Sequence, residues 1–261
     1  MNHYAQRLLT LQDQPTHILK EIGDQWQTPK PLAWGLFWTF TPKIGPVVLD
    51  LFADHGNALV GCYYTAAENA LLQDWAADSR HQGGACYGNP PYSRQELDDD
   101  GNPITGMENI LDYCRTQRDQ GAKIMLLVKA ATSEGWWPED ADFIQFISGR
   151  IGFEAPAWYK PRDPKKDKPC ASGFASAVII FDRDWRWERR PAERLDRDHL
   201  ITIGEDILHM VHLRAAQLLE VTQPSIHNHV TAEPTETVDN LAASSDVGLY
   251  SEMAAEDEQA A

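Results

Sequence analysis

Short apolar runs alternate along the chain with segments whose apolar positions recur at helical spacing. Residues 47–52, opened by Gly45-Pro46, are apolar apart from Asp50, and such a run predicts a buried strand covered on both faces. Residues 62–65, 85–88, 124–128, 143–147, 151–154 and 174–181 read as further strands, with Pro90-Pro91 stopping the third. Between them, residues 71–77 predict a helix. Met107, Ile110, Leu111 and Cys114 fall at i, i+3, i+4 and i+7, an apolar helical stripe that Gly121 closes. Pro31 suits the first turn of a helix running through Leu32, Leu36 and Phe37. The first twenty residues, broken by Pro15, predict a short helix and a connector, and residues 203–219 predict a last helix. Strands alternating with helices predict an α/β fold with a mostly parallel sheet. The last strands follow one another without a helix, which predicts an antiparallel edge.

With 261 residues, the chain is long enough to bury a sizeable core. Neither a membrane-spanning run nor a signal peptide is expected, so the expected location is cytoplasmic. Cys62, Cys86, Cys114 and Cys170 are far apart and form no paired motif, so buried thiols are expected rather than disulfides or a zinc site.

The formal net charge of −16 argues at first against nucleic acid as a partner. The charge is uneven, however. Residues 220–261 carry nine acids and no Lys or Arg, and with few apolar groups they predict an acidic disordered tail. Residues 150–197 hold twelve Lys or Arg against eight Asp or Glu. The densest basic group is Lys160, Arg162, Lys165, Lys166 and Lys168, in one loop with Pro161, Pro164 and Pro169. Such a loop is either a solvated linker or a phosphate-contacting clamp.

The sharpest chemical signal is Asn89-Pro90-Pro91-Tyr92, placed just after a strand, where open α/β sheets bind ligands. Two prolines pin the backbone and donate nothing. The Asn89 side-chain oxygen and the Pro90 carbonyl are placed to accept hydrogen bonds from one planar amino group. Tyr92 offers a flat face for stacking. The motif therefore fits a flat molecule with an exocyclic amine.

This motif resembles the catalytic motif of S-adenosylmethionine-dependent amino-methyltransferases. The chain as a whole resembles the small phage and prophage DNA N6-adenine methyltransferases. The resemblance runs in order through Asp24-Gln25-Trp26-Gln27-Thr28-Pro29, Leu49-Asp50-Leu51-Phe52-Ala53-Asp54, Asn57-Ala58, Tyr63-Tyr64-Thr65, Asn69-Ala70-Leu71, Gln73-Asp74-Trp75 and Asn89-Pro90-Pro91-Tyr92-Ser93. It continues through Leu126-Leu127-Val128, Thr132-Ser133, Trp137, Gly149-Arg150-Ile151, Phe153 and Ser176-Ala177-Val178-Ile179-Ile180-Phe181.

That resemblance implies a Rossmann-like class I methyltransferase fold that uses S-adenosylmethionine and acts on double-stranded DNA. The implied organisation is an N-terminal helical extension over residues 1–22 and a methyltransferase domain over 23–190. A helical segment would follow over 191–222, and the acidic tail over 223–261. The implied catalytic residues are Asn89, Pro90, Pro91 and Tyr92. The implied cofactor residues are Trp26, Thr28, Pro29, Asp50, Phe52 and Asn57, with Asp50 at the methionine end and Phe52 packed along the cofactor. The basic loop would contact DNA phosphates. Two departures stand out: the turn after the first strand, Ala53-Asp54-His55-Gly56-Asn57, has one glycine, and Lys129 stands where the family carries a proline.

The motif by itself also serves cytosine N4 or protein glutamine. A catalytically silent DNA-binding protein or an interaction protein working through residues 200–261 would share the fold. Asp74 reads equally as an adenosine contact or a helix position, and Trp26 and Trp137 are core-type residues. Asp98-Asp99-Asp100-Gly101-Asn102 reads as an exposed turn rather than a calcium loop. His209, His212, His227 and His229 lack the partners of a metal set, so no metal is expected.

Overall fold

The computed structural model describes residues 1–169 and 171–222, and Met1–Glu220 form one compact unit. The acidic tail expected over 223–261, with His227 and His229, lies outside the described residues. The helices are α1 (His3–Gln12), α2 (Lys30–Ile44), α3 (Trp75–Gln82), α4 (Met107–Asp119) and α5 (Arg197–Thr222). The strands are β1 (Val47–Asp50), β2 (Cys62–Tyr63), β3 (Ala85–Gly88), β4 (Ile124–Lys129), β5 (Phe143–Ser148), β6 (Ser176–Phe181) and β7 (Leu195–Asp196).

The sheet order is β2-β1-β3-β4-β6-β5-β7. Strands β2, β1, β3 and β4 pair in parallel, whereas β6 lies antiparallel between β4 and β5. The sheet is thus mostly parallel with an antiparallel portion toward the β5 side, the α/β arrangement of a Rossmann-like methyltransferase. Alternation along each strand divides the core into two layers. Leu49, Cys86, Ile124, Leu126 and Val128 pack with Trp75, Ile110 and Leu111 on the α3 and α4 face. Ala85, Tyr87, Met125, Leu127, Val178 and Ile180 pack with Leu32, Leu36 and Phe40 on the α2 face. The core strands are nearly continuous apolar runs because both of their faces are covered, and their polar residues, Asp50, Lys129 and Ser176, stand at strand ends. Helix α5 approaches α2 at two glycines: a Cβ on Gly204 would stand 1.8 Å from the Pro31 carbonyl oxygen, and one on Gly35 would stand 1.9 Å from that of Leu200.

Several local expectations shift. The helix expected over 71–77 is a short 3-10 turn at Ala70–Leu72 followed by α3, because Gln73 is extended and the Asp74 side chain caps α3 by accepting the Ala77 N–H at 2.9 Å. Residues 151–154 are not a strand. Glu154 makes only a two-way backbone pair with Gln27, while Ile151 and Phe153 are buried. The two-residue strand β7 has no periodic signal and follows the polar stretch after Pro191. Strands β1, β2 and β6 are shorter than their apolar runs. Among the described residues no helix is long and apolar enough to cross a membrane, and no three His, Cys, Asp or Glu side chains gather as a metal set. Cys62, Cys86 and Cys114 are free thiols.

Candidate active site

The chain leaves β1 toward β2 on one side and returns to β3 on the other. The crevice between the carboxyl ends of β1 and β3 is therefore the topological switch point, where sheets of this kind bind ligands. Asp50 ends β1 and Asn89 follows β3, so the two lie at neighbouring strand ends, and the Leu51 N–H donates to the Tyr87 carbonyl at 2.8 Å. The turn after β1 compensates for its single glycine with side chains. Asp54 Oδ1 accepts the N–H groups of Gly56 (2.6 Å) and Asn57 (3.0 Å), and Asn57 Oδ1 accepts that of Asp54 (2.7 Å).

Asp50 is only 4% exposed, and its carboxylate accepts the Leu59 N–H at 3.2 Å. Burial pushes its pKa up to about 6, against the opposing pull of the Leu59 and Phe52 backbone groups. The carboxylate therefore sits beneath the turn, while Leu51 and Phe52 reach the crevice itself.

The Asn-Pro-Pro-Tyr segment is held from a distance by residues 24–26. Asp24 Oδ1 accepts both the Tyr92 and Ser93 N–H groups at 3.0 Å. Asn89 Nδ2 donates to the Trp26 carbonyl at 3.0 Å, which fixes the carboxamide with its Oδ1, the acceptor, on the side of the Tyr92 hydroxyl. The Tyr92 hydroxyl lies 3.2 Å from the Leu127 carbonyl and 3.4 Å from Asn89 Oδ1. Burial raises the Tyr92 phenol, so it stays neutral and is a stacking surface rather than a base. Its ring packs edge-on against Phe174, with centroids 5.9 Å apart.

Two cavities meet at this segment. The first, of about 290 Å³, is lined by Phe52, Asp54 and Asn57 after β1, by Tyr64 and Thr65 after β2, and by Asn89 and Pro91. Helix α1 supplies its outer side. The second, of about 560 Å³, is lined by Pro90, Tyr92, Ser93, Phe153, Ser172 and Phe174. Asp24, Trp26 and Asn89 line both. Neither lining includes a Lys or Arg, and the first includes the carboxylates of Asp24 and Asp54. That chemistry suits a cationic ligand with aromatic parts and disfavours a polyphosphate. The Ser93 hydroxyl, beside the second cavity, is buried without a partner.

Thr28 and Pro29 line neither cavity. The Thr28 hydroxyl is 2.9 Å from that of buried Tyr87, and Pro29 precedes the first residue of α2. Trp137 is core, stacked on Phe146. Asp98 caps its own exposed turn through the Asp100 and Asn102 N–H groups.

The reversed β6 splits the basic stretch between opposite ends of the sheet. Its start, Ser176, pairs with Lys129 at the carboxyl end of β4, and its end, Phe181, pairs with Ile124 at the amino end. Lys160, Arg162, Lys165, Lys166 and Lys168 precede it, are all exposed, and lie in a loop whose flanks, Phe153 and Ser172–Phe174, line the second cavity. Arg183, Arg186, Arg189 and Arg190 follow it, toward the amino ends of β4 and β5 and away from the crevice, whereas Arg194 lies farther along, next to the Leu195 that pairs with Ile147 near the carboxyl end of β5. Buried Asp167 braces the loop by accepting the Asp163 N–H (3.0 Å) and the Leu19 N–H (3.3 Å). Among the described residues Lys160, Lys165 and Lys168 make no ion pair, whereas Arg162 lies 3.9 Å from Glu21 and Lys166 lies 3.7 Å from Asp163.

Comparison with known proteins bears directly on this crevice. The family model described as DNA N-6-adenine-methyltransferase (Dam) matches residues 15–207, which include both strand ends, the Asn-Pro-Pro-Tyr segment and the basic loop. The chain belongs to the Dam family. It is also 50% identical over 91 residues, 35% of its length and 96% of the relative's, to "Putative methyltransferase YfdM" of Escherichia coli (strain K12). Membership in the Dam family makes this protein a methyltransferase-family member, and the matched residues include the whole rim of the crevice from β1 to the Asn-Pro-Pro-Tyr segment. Helix α1 falls outside the matched residues.

Sequence reasoning missed Asp24 as the acceptor of the Tyr92 and Ser93 N–H groups and α1 as a wall of the first cavity. The Asp24-Gln25-Trp26 resemblance was the available signal for the first. For α1 the sequence held only a short amphipathic stretch ahead of Pro15.

Proposed function

We propose that this protein transfers a methyl group from S-adenosylmethionine to the N6 amine of adenine in double-stranded DNA. The observation that carries this reading is the position of Asn89 in the walls of both cavities, so that a donor in one and an acceptor in the other meet at its carboxamide. The first cavity has the carboxylates and aromatic surfaces that suit a sulfonium-bearing nucleoside. The second has rings at Tyr92, Phe153 and Phe174 that suit a planar base. S-adenosylmethionine, when bound, supplies an electrophilic methyl group on a cationic sulfur.

The target adenine must leave the duplex stack for its amine to reach Asn89. Tyr92 stacks on the extruded ring. Asn89 Oδ1 and the Pro90 carbonyl accept the two N6 hydrogens, which draws the nitrogen lone pair out of ring conjugation and turns it toward the first cavity. Asn89 keeps this orientation because its Nδ2 is tied to the Trp26 carbonyl. The displacement is in line: the new N–C bond forms as the C–S bond breaks, and the amine proton departs afterwards. Rate enhancement comes from positioning and from fixed dipoles, with no covalent enzyme intermediate.

Phe52, Asn57 and Trp26 contact the cofactor directly. Asp50 acts from beneath the turn, holding Leu59 and supplying negative charge. Thr28 and Pro29 act through β3 and α2 rather than by contact. Lys160, Lys165 and Lys168, with Arg162 and Lys166, contact DNA phosphates beside the base cavity. The organisation proposed is a methyltransferase domain over 23–190 with helical segments before and after it, in a cytoplasmic protein of phage or prophage type.

The test is incubation with methyl-labelled cofactor and mixed-sequence DNA, followed by nucleoside analysis. Label in N6-methyladenine is expected. Label in N4-methylcytosine, in protein, or nowhere overturns the reading.

A further inference from the structure

The first cavity has an outer side that the family match does not reach. Met1, Tyr4, Ala5, Leu8, Leu9 and Gln12 of α1 line it, opposite Phe52, Asp54 and Asn57. Tyr4, Ala5 and Leu8 recur at i, i+1 and i+4, one face of the helix, and Ala5 is buried. Without α1 the crevice between the β1 turn and the end of β2 would be an open groove.

The helix is fastened at both rims of that groove. Asn2 caps α1 by accepting the Ala5 N–H and donates through Nδ2 to the Ala66 carbonyl after β2, each at 2.9 Å. Arg7 pairs with Glu96 at 2.6 Å, four residues past Tyr92. Tyr4 accepts from Gln25 Nε2 at 3.3 Å, and the Leu11 carbonyl lies 2.9 Å from the ring of buried His17.

We infer that α1 is part of the cofactor site, with Tyr4, Ala5 and Leu8 forming the wall that covers bound S-adenosylmethionine. This rests on the reading of the first cavity as the cofactor cleft. The wall is mostly apolar and excludes water from the cleft, and water exclusion strengthens the attraction of the Asp24, Asp50 and Asp54 carboxylates for a sulfonium. Of these fastenings the Arg7–Glu96 pair is solvent-accessible and contributes little to holding the helix down. The helix lifts to admit the cofactor and to release the spent one, and the Arg7–Glu96 pair is the latch on the side of the catalytic segment.

The experiment uses the full chain and S-adenosylhomocysteine as the probe. Calorimetry on wild type and on the double variant Tyr4→Ala, Leu8→Ala should show a dissociation constant raised at least tenfold. Arg7→Ala should bind with a faster off-rate and little change in on-rate. For a readout free of any folding defect, trypsin cleavage after Arg7 in the wild type should slow at least tenfold when the probe is saturating. Equal affinity in the double variant, or unprotected cleavage in the saturated wild type, overturns the inference. If the wild type does not bind the probe at all, the assignment of the cofactor itself falls, and this inference falls with it.

Discussion

The two cavities that share Asn89 are built on opposite principles. The first is the smaller, adds the Asp54 carboxylate to the shared Asp24, and is bounded by a turn whose side chains close on one another. The second is about twice as large, lined by rings, and flanked by an exposed basic loop. A small cationic cofactor is held by enclosure and charge, so its site needs a covered cleft. A base drawn from a duplex is held by stacking, while the bulk of its polymer stays outside and is held by phosphates. On the proposed assignment, a protein with a net charge of −16 acts on DNA through cations gathered in one loop beside the second cavity, while neither cavity lining carries a cation.

Asn89 belongs to both sides, and its replacement should give the largest effect. Asn89→Ala removes an acceptor made for the transition state, and turnover should fall by about 10²–10³, the scale for losing one polar group at a reacting centre. Cofactor affinity should stay within twofold by calorimetry. A variant with wild-type turnover would separate the motif from the chemistry.

Asp50→Asn should act on the first cavity alone. It replaces the charged acceptor of the Leu59 N–H by a neutral one, and cofactor binding should weaken by about 1 kcal/mol, the difference between a charged and a neutral hydrogen bond. The same carboxyl gives a pH signature. With a pKa of about 6, it protonates as the pH falls below that value, so wild-type affinity for the cofactor should weaken below pH 6, and the Asn variant should not share that slope. The sign for stability is the reverse. The folded protein holds a proton that the unfolded chain releases between about pH 4 and 6, so the group's contribution to stability declines as the pH rises through that window.

Tyr92→Ala should act on the second cavity alone, weakening DNA by about 1–3 kcal/mol, the usual worth of one stacked base. Tyr92→Phe should recover most of that, since it keeps the ring. A loss of cofactor affinity in either would blur the division between the cavities.

The smallest effect belongs to the loop. Lys165, Lys166 and Lys168 changed together to Ala should flatten the slope of log affinity against log salt by up to about 2.7, at roughly 0.9 per phosphate. Lys166, beside Asp163, should contribute least. The loss should be uniform across DNA sequences. An unchanged slope would make the loop a solvated linker.

Much of this was legible along the chain. Continuous apolar runs over 85–88 and 124–128 specify strands covered on both faces, and the stripe from Met107 to Cys114 specifies α4, because burial imposes its period on nearby residues. Asn-Pro-Pro-Tyr was legible for the same reason, as four adjacent residues with one backbone constraint. Errors arose where a side chain competed with the pattern, as at Asp74, whose cap moved a helix start, or where an apolar run packed without pairing, as at Ile151 and Phe153.

Local residues by themselves thus determined the strands, the main helices and the chemistry of the catalytic segment. Only the tertiary structure decided that Asp24 holds Tyr92 from 68 positions away, that α1 walls the first cavity, and that β6 sends Arg183, Arg186, Arg189 and Arg190 to the far end of the sheet from the loop lysines. The physical reason is that a strand's direction and a helix's resting place depend on what the rest of the chain leaves uncovered, and no window of neighbouring residues carries that information.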